Sequence, residues 1–259
     1  MLNYLRSEIY RNLRSKGNYL FILGAMAFVV FLNGVLWMFG NADANFSYNN
    51  TKFAFSSLYT SMKFPMYLCI CIVSLIFGQE YKNNTLKNTI SFGISRSAIY
   101  LCKFLMTLVY ALIVAVFVIS AFVISAYILL ENSGVEHLTT LIKAVIASMP
   151  LLLIALTIAN CFYFITDKEM SAIGYWVTII VIIPSLLSMA GRRSEICNTI
   201  ASYMPVNLIG QITFNEKTKD IVLAFATKEG IMKSIAVAII FCSIFYFMGL
   251  EIFKRKEIK

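Results

Sequence analysis

Apolar residues run through this chain in long blocks, separated by short polar segments. The block from Leu105 to Leu130, LMTLVYALIVAVFVISAFVISAYILL, carries no charge and no period-two alternation. A helix needs about 20 apolar residues to cross a bilayer core. A membrane β-barrel would instead alternate strictly in short segments. Six blocks meet the helical requirement: 19–39, 58–77, 99–130, 138–165, 170–189 and 231–253. The third is longer than a bilayer needs and is expected to tilt or project into water. Pro65 and Pro150 lie inside the second and fourth blocks, where neighbouring helices tolerate a kink. The expected fold is an all-α polytopic membrane protein, residues 1–259 forming one transmembrane domain of six helices.

Three further pieces stand out. At 100° per residue, Leu2, Leu5, Ile9 and Leu13 fall on one arc, while Glu8, Arg11 and Arg14 lie off it. Residues 1–18 are therefore expected as an amphipathic interfacial helix on the cytoplasmic leaflet, with Arg6, Arg11 and Arg14 near lipid phosphates. The connection 190–230 holds two moderately apolar pieces, Thr199–Gly210 and Asp220–Ala226, neither long enough to cross. These are expected as re-entrant helices in an extracellular connection. The third piece is the polar stretch EYKNNTLKNTISFGISRSAIYLCK, Glu80 to Lys103.

Composition agrees with the membrane class: 59% of residues are hydrophobic and 14% charged, against about a quarter charged in soluble domains. The net charge of +9 changes the picture only through its distribution. Thirteen of the 22 Lys and Arg residues fall on one side of the six blocks. That side is expected to be cytoplasmic, with both termini inside. No basic patch alternates with stacking aromatics, so no nucleic-acid partner is expected. The first apolar run is too long for the core of a cleaved signal peptide.

Candidate chemistry is sparse. The six cysteines form no CxxC, and His137 is the single histidine, so neither a disulfide framework nor a metal site is expected. No Asp, Glu or His lies mid-span, which argues against ion-coupled transport and against an intramembrane metalloprotease. No catalytic residue is expected. The neutral mid-span residues Asn33, Ser74, Ser120, Ser125 and Asn160 suit helix-to-helix hydrogen bonds. The chain lacks G-x-x-x-x-G-K-[ST], the loop that cradles ATP phosphates. Any work it performs must be driven from another subunit.

The stretch 83–97 is where such a subunit could hold it. Asn84 or Thr85 can cap a helix start. Leu86 and Ile90, four apart, share a face. Gly93 can stop the helix, and Ser95 or Ser97 can cap the next. A helix this short needs a partner to dock into.

The residues also resemble a family. Permeases of ABC type 2 exporters commonly read E-x-x-x-G-T-L-K and then S-R-x-x-x-x-x-x-K. Glu80, Thr85, Leu86, Lys87, Ser95, Arg96 and Lys103 match that pattern here, with Asn84 where the family often has Gly. The resemblance extends to the amphipathic start, the six spans, the long fifth-to-sixth connection and the basic tail FKRKEIK. It implies that 83–97 is a coupling segment seated in a groove of a separate ATP-binding cassette ATPase, which would hold the ATP and Mg. No cofactor is implied on this chain. Leu86 and Ile90 would fill the groove, with Thr85, Lys87 and Arg96 at its rim. Glu80 would tie the second span to the N-terminal helix through Arg11 or Arg14. A second permease chain, identical or paralogous, would complete the complex in contact with membrane lipids. The cargo implied is an amphipathic peptide, such as an antimicrobial or cytolytic one, handled by lantibiotic-immunity permeases. Exporters of drugs, sodium or glycans are alternatives, as is a non-transporting sensor or assembly subunit.

Overall fold

The computed structural model describes residues 2–43, 46–83, 85–215 and 220–256, and their side chains except at 2, 79–86, 88 and 213–222. The elements are α1 (Leu2–Arg14), α2 (Lys16–Ala42), α3 (Thr51–Thr60), α4 (Lys63–Asn83), α5 (Thr85–Ser91), α6 (Arg96–Leu129) and α7 (Glu136–Ile165). The fifth apolar block is α8 (Glu169–Val177), a π-helical turn (Thr178–Ile182) and α9 (Ile183–Ala190). Then come α10 (Glu195–Ser202), α11 (Pro205–Leu208), strands β1 (Ile212–Asn215) and β2 (Asp220–Leu223), a 3-10 turn (Ala224–Ala226) and α12 (Lys228–Arg255). Among the described residues, five helical segments are long and apolar enough to cross a membrane, or six if the bent pair α3–α4 counts as one span.

α7 is the central post. Leu141, Ala144, Ser148, Leu151, Ala155 and Ile158 recur at helical spacing and are all buried. Its alanines let neighbouring backbones come close, the usual basis of helix association in lipid. α12, α4, α8 and α3 pack around it, while α2 packs on α6 at the edge. Asn33 fastens that edge: its amide donates to Phe122 O at 3.0 Å and to Ser125 Oγ at 2.8 Å. Asn160 accepts from Thr107 Oγ1 at 3.4 Å, joining α7 to α6. Trp176 Nε1 donates to Ala155 O at 2.9 Å, joining α8 to α7.

The second apolar block is not one straight rod. α3 and α4 meet at 62°. Pro65 explains the break, because its ring would collide with the carbonyl four residues back, at Ser61, if one helix ran through. The fifth-to-sixth connection also departs from expectation. Thr199–Gly210 is largely helical, but Asp220–Ala226 is a strand followed by a 3-10 turn, not a re-entrant helix. β2 pairs antiparallel with β1, Ile221 opposite Phe214 and Val222 opposite Thr213. The β-branched pair Ile221–Val222 favours that pleated surface. The hairpin is the one strand pair among the described residues.

Candidate functional site

The polar stretch lies at one end of the bundle, here the α5 end. Gly93 stops the segment as its position suggests: its φ is +79°, a region that costs a residue without Cβ little. Its N–H donates to Ile90 O at 2.9 Å. Ser95 then caps α6, its Oγ accepting from Ala98 N at 3.4 Å. The seven-residue α5 is thus bounded on its C-terminal side by features legible in the sequence. Lys87 is exposed, while Ile90 is half-buried and packs against the chain's own core. The side chains of Glu80, Thr85 and Leu86, and all of Asn84, lie outside the described residues.

Arg96 has an intrachain role that sequence reasoning missed. Its Nη1 donates to Phe253 O at 3.0 Å, Lys254 O at 2.8 Å and Lys256 O at 2.6 Å. These carbonyls close α12, where a helix end carries partial negative charge and orphan acceptors. Lys256 does the same for α7, donating to Phe164 O at 3.4 Å and Thr166 O at 3.0 Å and pairing with Asp167 Oδ1 at 2.7 Å. At the start of α8, Glu169 Oε1 accepts from Ser74 Oγ of α4 and from Tyr163 Oη. The helix ends flanking α5 are therefore stitched together by polar side chains. Arg96→Ala is expected to lower stability by about 1–2 kcal/mol, read as a lower unfolding midpoint in detergent. Arg96→Lys should recover only part of it, since a point charge cannot serve three diverging carbonyls.

The most buried charges also sit at this end. Lys103, the last position of the family pattern, is 0% exposed. Its Nζ lies 2.8 Å from Glu8 Oε2, 3.5 Å from Ile76 O and 5.3 Å from the centre of the Phe77 ring. Glu8 is 2% exposed, and its Oε2 also takes a 2.6 Å bond from Arg11 Nη2. Two cations thus converge on one carboxylate, which offsets the cost of removing these charges from water. The pair ties α1 to α6 directly beside α4.

α1 turns Tyr4 and Glu8 inward and leaves Ile9 and Leu13 exposed. Arg6 is exposed, and Arg14 stands over the Tyr10 ring at 4.4 Å. The tie proposed for Glu80 lies outside the described side chains; the described tie runs through Glu8 and Lys103. One signal could have found it. Glu8 is the only acid in the first 42 residues, and Lys103 stands seven residues inside an apolar helix.

The family model described as ABC-2 family transporter protein matches residues 4–185. That span runs from α1 through the α5 end into α9. The chain belongs to the ABC-2 transporter family. It is a multi-pass membrane permease subunit of an ABC transporter, and its family implies an ABC ATPase partner. A comparison of the permease with curated proteins gave no match. The matched residues contain the Glu8–Lys103 pair, α5 and Arg96, whereas the hairpin and α12 lie beyond them.

Proposed function

We propose that this permease is the membrane half of an ATP-driven exporter, engaged by its ATPase through the segment 83–97. The observation that carries the reading is the build of the α5 end. A seven-residue helix presents Lys87 to solvent while the helices flanking it are clamped by Arg96, Lys256 and the Glu8–Lys103 pair. A push on α5 then reaches α4, α6 and α1 together, because the Glu8–Lys103 pair couples α1 to α6 beside α4. Thr85, Leu86, Lys87, Ile90 and Arg96 form the coupling element, with Ile90 and Arg96 holding it to the bundle. The permease supplies no catalytic group; ATP and Mg belong to the ATPase.

The α5 end faces the cytoplasm of a bacterial cell, where its basic residues favour retention. α1 lies on the inner leaflet with Ile9 and Leu13 in lipid and Arg6 and Arg14 toward phosphates. A second permease chain, identical or paralogous, completes the pathway. The cargo is an amphipathic peptide of the antimicrobial or cytolytic kind, expelled from the membrane or cytoplasm. The exposed aromatics Phe28, Phe31, Trp37 and Tyr175 support an apolar-tolerant path.

Co-purification tests the reading. The tagged permease should bring down an ATPase with a phosphate-binding loop, and an amphipathic peptide should stimulate its ATP hydrolysis. A permease that captures no ATPase would instead favour a sensor or assembly role. ATPase capture with stimulation only by a drug, sodium or a glycan would replace the peptide as cargo.

A further inference from the structure

We infer that Phe92, immediately after α5, is the principal apolar contact with the ATPase, and that Ile90 is its internal support. This rests on the proposed docking of 83–97. Phe92 is 84% exposed, more than any other large hydrophobic side chain among the described residues. Most of its rivals lie on the long apolar helices, where lipid covers them. Phe92 stands in a polar run instead, between exposed Ser91 and Gly93.

Its depth separates it from lipid. Tyr110 Oη donates to Asn18 O at 2.9 Å, which fixes the level on α6 at which α2 begins. Arg96 lies 14 residues before Tyr110, so α6 overhangs that level by about 20 Å at 1.5 Å per residue. Lys103, paired with α1, marks about half that distance. Arg96 thus lies about 10 Å past Lys103 along α6, and Phe92 precedes Arg96 by four residues on the α5 side. Burying the Phe92 ring against a partner would remove its exposed apolar area from water.

The surroundings describe that partner. The residues that follow Phe92 in the chain, Gly93, Ile94, Ser95, Ser97, Ala98 and Leu101, line a shallow groove. No acid occurs between Glu80 and Glu131, and Lys87 is exposed nearby. The complementary surface is an apolar hollow with an acidic rim. Ile90 packs against the permease's own core and props the turn at Gly93. Phe92 carries the ring outward because Gly93, at positive φ, reverses the chain just after it.

The test measures ATPase binding to the full-length permease in nanodiscs for wild type, Phe92→Ala, Phe92→Trp and Ile90→Val. Truncating a buried aromatic anchor weakens binding by about 30-fold, so Phe92→Ala should do so with an unchanged unfolding midpoint. Phe92→Trp should bind within about threefold of wild type. Ile90→Val should lower the unfolding midpoint, since that side chain packs against the permease's own core. Wild-type affinity in Phe92→Ala would overturn the inference while leaving the docking reading intact. Failure of the wild-type permease to bind any ATPase would sink the docking reading itself. Greater quenching of Phe92→Trp than of wild type by brominated lipid would put the ring in the bilayer and also overturn the inference.

Discussion

Glu8→Ala should lower the stability of the permease by about 3–5 kcal/mol, the usual cost of removing one partner of a buried ion pair, and Lys103→Ala by less, because Arg11 still bonds Glu8. Glu8→Ala removes the carboxylate on which Lys103 and Arg11 converge, at a site where Lys103 lies against Ile76 O and the Phe77 ring. The double variant removes both sides of the contact, so its loss should fall well below the sum of the two singles. Unfolding of the purified permease in mild detergent measures all four corners of the cycle. Strict additivity would mean that the two groups do not interact. Function should suffer with stability, because this pair is the described link between the N-terminal helix and the helices flanking α5.

The second large effect is expected at Gly249. A Cβ placed there would come within 3.0 Å of Cys161 Sγ and 3.1 Å of its Cα, and would collide with Tyr100 Oη. Tyr100 is itself fully buried among Phe164, Tyr246 and Phe253, so it has little room to yield. Close packing of this kind holds helices together in lipid, where apolar area alone gives little preference. Gly249→Ala should cost about 1–3 kcal/mol by overpacking, and Gly249→Leu more, by forcing α12 off α7. The unfolding midpoint and the yield of monodisperse protein read this directly. A midpoint for Gly249→Leu equal to that of wild type would show that α12 can slide without penalty.

The sequence made the long helices legible because lipid demands uninterrupted apolar length, and length survives without any knowledge of packing. It also made the stop at Gly93 and the cap at Ser95 legible, since both are local chemistry. The bend between α3 and α4 was encoded by Pro65, but a proline within a span also suits a mild kink, and only the packing fixes the angle. The hairpin was hidden because its strands are four residues each and lie in a mixed polar segment. The burial of Lys103 was not legible, because a lysine near a span end ordinarily reaches toward water. Its partner Glu8 is 95 positions away, and such pairings leave no periodic trace. Arg96 illustrates the same limit: matching a family pattern located the residue, while the three carbonyls of α12 that it holds belong to the other end of the chain.

The central claim is that the segment 83–97 is where the ATPase grips the permease. A photo-crosslinking amino acid at position 87, exposed on α5, tests it most directly in membranes of cells carrying the full complex. The account predicts an ultraviolet-dependent adduct with an ATP-binding cassette ATPase, lost when the crosslinker is moved to the lipid-exposed position 128 on α6. Adducts to lipid alone, or to a protein with no ATPase, would contradict it.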